Sequence, residues 1–202
     1  AKGVEEQTEK LFEVCKMREI PIITFVNKCD RPGLEPLEVI SNIENQLGIE
    51  AVPASWPLGY GKDFQGIYDL IGKKLHLQTK EEHGAKKAET ELYDLEEGIE
   101  QARLSDFDKE KFREEVLLTE DMMEMMDEEA FLDGKATPVF FGAALNNFGL
   151  DVFLDYFSEL ANPPQRYHDE NDEPRDLGKG FSGFVFKMQA NMNPDHRDCA
   201  AF

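Results

Sequence analysis

The chain has 202 residues, of which 41% are hydrophobic, and carries a formal net charge of −20 with three cysteines. That size and apolar content exclude wholesale disorder and fit one full domain, or one domain and part of another. The charge argues against a generic nucleic-acid binder, DNA included, because neutralising phosphates takes clustered Lys and Arg.

In chain order, Glu5 to Glu19 predicts a helix with Val4, Leu11, Phe12 and Cys15 near one face. Pro21 to Asp30 follows, reading Pro-Ile-Ile-Thr-Phe-Val-Asn-Lys-Cys-Asp. Its apolar, β-rich first half predicts a strand buried on both faces of a parallel sheet. In open α/β sheets ligands sit outside the carboxyl ends of the strands, where Asn27, Lys28 and Asp30 arrive together. A carboxylate accepts two parallel hydrogen bonds from an N–H and an exocyclic amine, a pair that guanine offers on one edge and adenine does not. Asp30 is therefore the candidate reader of guanine. Asn27 would read the other edge or brace the loop, and the stem of Lys28 would cover the base. Against this, Asn-Lys-x-Asp fixes only three positions, and such strings are often plain polar turns.

After the Asp30-Arg31-Pro32-Gly33 turn, Pro36 suits a first helical turn, and Leu37, Ile40, Ile43 and Leu47 give helical spacing up to Gly48. Helix, strand, polar loop and helix in that order are half of a doubly wound sheet. Residues 51–57 carry two prolines and predict an extended edge or connector. Residues 65–78 predict a hairpin turning at Gly72-Lys73. Residues 93–126 read as mostly helical, and Met122, Met123, Met125 and Met126 are expected to fill packing gaps rather than form a ligand strip. From Lys80 to Asp133 there are 20 acidic and 7 basic residues, a net of −13, which predicts a solvated acidic helical appendage.

A short helical turn at 128–132 ends at Gly134, and Thr137 to Phe141 is a second buried strand, followed by Gly142-Ala143-Ala144-Leu145. Small residues there let the backbone approach a ligand, so the Ala144 N–H is a candidate donor to a guanine carbonyl. Leu150, Phe153, Leu154 and Phe157 mark a helix that Asn162-Pro163-Pro164 terminates. Residues 165–179 look like a linker, and the run from Phe181 opens a β segment of another domain. Cys15, Cys29 and Cys199 lie too far apart for a disulfide framework or a zinc site. No apolar run approaches a membrane span, and the scattered cysteines make a reducing cytosol the expected setting. The absence of a methionine at Ala1, and a strand pattern still running at Phe202, lead to the expectation of an internal piece of a longer protein.

The Asn27-Lys28-Cys29-Asp30 and Gly142-Ala143-Ala144-Leu145 loops, together with the stretch from Leu58 to Leu70, resemble the translational GTPases. The closing stretch Gly180-Phe181-Ser182-Gly183-Phe184-Val185-Phe186-Lys187-Met188-Gln189 is most similar to the bacterial peptide chain release factor 3 family. The resemblance covers nearly the whole chain and is weakest from Glu81 to Met126. It implies the carboxyl-terminal half of an α/β, P-loop-GTPase-type doubly wound sheet with a helical and hairpin insertion, followed by the start of a β-barrel. By residue, it implies a GTP-binding region over 1–164 with an insertion at about 58–130, a linker over 165–179 and barrel strands over 180–202. Asn27, Lys28, Cys29 and Asp30 with Ala143, Ala144 and Leu145 would then bind GTP or GDP. Ala143 stands where that family has a hydroxyl residue, which removes a bracing hydrogen bond but keeps the backbone donor. The implied partners are the ribosome and class I release factors, for a monomeric cytoplasmic parent using magnesium and promoting factor release at termination.

The phosphate-binding pattern G-x-x-x-x-G-K-[ST] does not occur in these residues; Gly61-Lys62, Gly72-Lys73 and Gly134-Lys135 are followed by the wrong residue. Asp30-Arg31-Pro32-Gly33 and Asp63-Phe64-Gln65-Gly66 have the letters of the family's switch motif but follow the base loop instead of preceding it. His76, His83, His168 and His196 are read as surface or structural residues. No catalytic residue and no magnesium ligand are expected in this chain, so by itself it is expected to be inactive in phosphoryl transfer. Two alternatives stand beside this: an elongation-factor-G-like or ribosomal-protection GTPase, and a non-catalytic acidic interaction module that retains the fold.

Overall fold

The computed structural model describes residues 3–78 and 90–161, and beyond them 171, 173, 174, 185, 187–190 and 199–201. The chain divides into two units, Ala1–Leu160 and Ala161–Phe202. The first is a mixed α/β structure holding two sheets. Its elements are α1 (Glu6–Met17), β1 (Thr24–Val26), α2 (Pro36–Leu47), β2 (Glu50–Pro53), β3 (Ser55–Leu58), β4 (Gly66–Asp69), β5 (Lys74–Gln78), β6 (Thr90–Tyr93), α3 (Leu95–Gln101), α4 (Asp106–Glu124), α5 (Glu128–Leu132), β7 (Ala136–Phe141) and α6 (Leu150–Leu160).

Strand β7 is the centre of the parallel sheet, with β1 on one side and β2 on the other. All six of its residues are buried, as expected of a short apolar run in the middle of a parallel sheet. Strand β1 differs from the sequence expectation. It is only three residues long, lies at an edge among the described strands, and buries only Val26 fully, because it pairs on one side alone. The Thr137 hydroxyl caps the end of this pairing, donating to the Ile22 carbonyl at 2.8 Å. A cleft of about 790 Å³ runs along β1, lined by Phe12, Ile23, Phe25, Val39 and Ile43 among others, and reaches Asn27 and Lys28.

The predicted connector over 51–57 is two strands, divided at Ala54, that belong to different sheets. Both prolines lie on strands at a sheet edge, where a missing N–H is tolerated: Pro53 on β2 and Pro57 on β3. The second sheet is antiparallel, in the order β3-β4-β5-β6, and contains the predicted hairpin as β4 and β5. Trp56 of β3 is fully buried, meets Phe141 of β7 edge-on at 5.3 Å and so joins the two sheets. The hydroxyl of Ser55 accepts the Phe141 N–H at 2.9 Å, close to where β7 leaves its own ladder.

The acidic segment is a layer of the fold rather than an appendage. Helix α4 starts at the Ser105 cap, whose hydroxyl accepts the Asp108 N–H, and packs over β2 and β3. It buries Phe112, Val116 and Thr119 and turns Glu115 and Glu120 inward, where they accept from Trp56 Nε1–H (2.9 Å) and the Tyr68 hydroxyl (3.0 Å). Composition over the window averaged this buried face away. Of the methionines, Met123 packs on the core and Met125 is exposed. Gly98 of α3 sits so close to Leu75 that a Cβ would lie 2.5 Å from its Cδ2.

In the second unit, β8 (Met188–Ala190) pairs antiparallel with β9 (Cys199–Ala201). Most of the linker expected over 165–179 and most of the β segment expected from Phe181 fall outside the described residues.

Candidate functional site

The parallel pairing of β1 with β7 brings their carboxyl ends level, with Val26 opposite Phe141. Each strand then enters a tight loop, and the two loops are bonded to each other. The Cys29 N–H donates to the Gly142 carbonyl at 3.1 Å, and the Gly142 N–H donates back to the Val26 carbonyl at 3.0 Å. Gly142 is required at this crossing, because a Cβ would lie 2.5 Å from the Phe148 carbonyl oxygen and 2.7 Å from Phe25 Cζ. Asn27 Oδ1 accepts twice, from its neighbour Lys28 N–H at 2.7 Å and from Ala144 N–H at 3.0 Å across the gap.

The Ala144 N–H, the candidate donor to a guanine carbonyl, is engaged here by Asn27. Between the two roles proposed for Asn27, the geometry shows the bracing one. Ala143 is 1% exposed, and its main chain forms a two-bond bridge with Phe148, so backbone bonds brace the loop where a side-chain hydroxyl is lacking. Leu145 stands out at 80% exposure.

Lys28 adopts the left-handed conformation (φ 68°), uncommon for a residue with a Cβ, and its side chain is exposed. Cys29 is 1% exposed and points inward, with its Sγ 3.4 Å from the Val26 carbonyl oxygen. Burial pushes the thiol pKa from 9.0 to about 11, so it stays protonated at neutral pH. Its side chain anchors the loop, and its main chain offers bonds on both sides: besides the Gly142 bond, the Cys29 carbonyl accepts from Gly61 N–H at 2.9 Å. Asp30 is half-exposed, and Asn146 Nδ2 approaches its Oδ2 at 3.4 Å. Among the described residues Asn146 is the one hydrogen-bond partner of that carboxylate.

The structure therefore gathers all seven sequence-predicted residues at one end of the parallel sheet and adds Gly61 and Asn146. Gly61 was read in the sequence as a phosphate-loop decoy; it sits in a 3-10 turn (Gly61–Asp63) at φ 61° and braces Cys29. Asn146 left no periodic signal, although the following Asn147 has the left-handed φ of 54° that asparagine tolerates in turns. His76, the one described histidine, is half-buried on β5, and burial holds its pKa below the usual value despite Asp151 and Asp69, while His83, His168 and His196 lie outside the described residues. Among the described residues no group of three or more His, Cys, Asp or Glu is placed to hold a metal ion.

An acceptor pair at Asp30, with the two loops fixed to one another behind it, suits a flat ligand edge that carries two adjacent donors. Residues 1–163 match the family described as the elongation factor Tu GTP binding domain. The chain is 43% identical over its whole length to peptide chain release factor 3 of Acaryochloris marina, covering 37% of that protein. It is 49% identical over 207 aligned positions to peptide chain release factor 3 of Streptococcus uberis, covering 38% of it, and 43% identical to that of Nostoc punctiforme, covering 37%. The chain thus spans little more than a third of the length of these relatives. With most of its residues matched, the chain belongs to the elongation factor Tu GTP-binding-domain family.

Proposed function

We propose that this chain supplies the guanine-recognition half of the nucleotide site in a GTP-hydrolysing translation termination factor. The observation that carries the reading is the double-loop junction, in which Asn27, Cys29 and Gly142 bond the loop that bears Asp30 to the loop that bears Ala144. Asp30 would accept the N1–H and exocyclic amine of guanine, and the Lys28 stem would lie on the base. The Ala144 N–H would reach the guanine carbonyl by exchanging its Asn27 acceptor for the ligand, one hydrogen bond for another. The names of the relatives favour termination over an elongation-factor-G-like role. By that likeness the whole protein would act on the ribosome to release class I release factors, with magnesium at the phosphates. The described residues offer no set of ligands for that ion. The proposed layout is a GTP-binding region over 1–164, a linker over 165–179 and the first strands of a β-barrel from 180.

Because the phosphate-binding pattern is missing from these 202 residues, the chain alone should hold GTP only through base contacts and should not hydrolyse it. Saturable low-micromolar binding of a fluorescent GTP analogue to the 202-residue chain would count against this. The decisive test uses the full reading frame that encodes the chain. Asp30→Asn places a donor opposite a donor, at about 1 to 3 kcal/mol. GTP binding should weaken by at least roughly tenfold, and xanthosine triphosphate, whose C2 carbonyl accepts from the new amide, should gain. An unchanged preference in a competition assay would remove Asp30 from the site.

A further inference from the structure

We infer that Asn146 is a positioning residue for base recognition, fixing the plane of the Asp30 carboxylate so that both of its acceptors face the ligand. This deepens the guanine-reading proposal and rests on it. A carboxylate turns freely about its last torsion, which is broad and two-fold, so an exposed aspartate does not by itself present two oxygens in one chosen plane. At Asp30 the one group among the described residues that opposes this rotation is the Asn146 side-chain amide, with Nδ2 at 3.4 Å from Oδ2.

The main chain that carries this amide is held in place. The Asn146 N–H donates to the Ala143 carbonyl at 3.0 Å, closing the 3-10 turn Ala144–Asn146. Ala143 is fixed in turn by its paired bonds to Phe148, and the next residue, Asn147, turns the chain through the left-handed region. The neighbours cannot do the same work: Ala143 presents a buried methyl and Leu145 an exposed apolar side chain. A neutral amide also suits the position chemically. It donates one hydrogen bond to Oδ2 and leaves the negative charge in place, so the carboxylate keeps its remaining lone pairs for the two donors of guanine. The bond crosses from the β7 loop to the β1 loop, so the orientation of Asp30 depends on both strand ends being in register.

The test compares GTP with inosine triphosphate, which lacks the exocyclic amine and so engages Asp30 through N1–H alone. In the full reading frame, Asn146→Ala should lower GTP affinity by roughly threefold to tenfold, the range for a single hydrogen bond, and lower inosine triphosphate affinity less. The GTP preference should therefore shrink. Asn146→Gln, which keeps the donor on a longer stem, should recover part of that preference, whereas Asn146→Asp, which sets a second carboxylate beside the first, should lose more than Asn146→Ala. Asn146 is an exposed loop residue, and the thermal midpoint of Asn146→Ala serves as the folding control. If Asp30→Asn switches preference toward xanthosine triphosphate while Asn146→Ala leaves the ratio of GTP to inosine triphosphate unchanged, the role of Asn146 is overturned and guanine reading by Asp30 stands. If Asp30→Asn does not switch preference, both fall.

Discussion

In the antiparallel sheet the polar groups turn inward and are matched in pairs, Trp56 Nε1–H with Glu115 and the Tyr68 hydroxyl with Glu120, under the cover of α4. At the carboxyl ends of β1 and β7 the polar side chains stay at the surface and bond loop to loop, leaving Asp30 and Lys28 turned to solvent. The first arrangement holds charge against an apolar core, where unpaired groups are expensive. The second spends few apolar contacts on the loops and keeps acceptors open to a ligand. The two regions meet at Trp56 and Phe141 but make their polar bonds separately, so polar substitutions in one should leave the other largely unchanged.

The largest expected effect sits where they meet. Trp56→Ala removes a fully buried ring and one of the two partners of Glu115, leaving it the Lys111 ion pair at 3.6 Å, which should lower stability by about 3 to 5 kcal/mol. Urea unfolding followed by circular dichroism checks it; a loss below about 1 kcal/mol would mean that the two sheets do not depend on each other.

Next is the alkaline response of Cys29, a loop residue buried like the core. The folded thiol has its pKa raised by burial to about 11, above the ordinary 9.0 of the unfolded chain. Its contribution to stability is therefore fully present below pH 9 and is lost as the pH rises toward 11, because the unfolded chain releases a proton that the folded one retains. Two pH units correspond to about 2 to 3 kcal/mol. Cys29→Ala should show a shallower fall in stability than the wild type between pH 9 and 11, with the tyrosines common to both. Parallel curves would place the thiol in contact with water.

The smallest effect separates the regions most cleanly. Lys28→Gly relieves a left-handed backbone conformation worth about 1 kcal/mol, so the thermal midpoint should hold or rise, while the cover over a bound base is lost and GTP affinity in the full reading frame falls. A variant that loses stability without losing affinity would reverse the assignment.

Much of this division was readable in the residues. The β7 run Thr-Pro-Val-Phe-Phe, the Pro36 start and Gly48 stop of α2, and the hairpin around Gly72-Lys73 follow from local chemistry, and each is present. Asn27, Lys28, Asp30 and Ala144 became candidates because they follow two apolar strands directly, and Cys29, Ala143 and Leu145 joined them through the family resemblance. Other features needed contacts between distant segments. Burial of one face of α4 depends on strands lying 50 or more residues earlier, as the Trp56–Glu115 and Tyr68–Glu120 pairs show, and the charge count over 80–133 masks it. The engagement of the Ala144 N–H by Asn27, across a separation of 117 residues, has no local signature at all. Nor does Asn146, whose significance comes only from standing opposite Asp30.

The pairing of β1 with β7 also sets an order in time. Thr24 meets Val139 across more than a hundred intervening residues, and until the second loop has been synthesised the first has only the Gly61 bond to its Cys29 carbonyl. Closing so long a loop carries an entropic cost that local contacts do not share, and such pairings form late. A growing chain can therefore complete the α4-covered antiparallel sheet while residues 27–30 are still an open turn, and nucleotide could not serve as a template for the earlier part. Recognition would switch on in a single late step, once residue 146 is free to fold back.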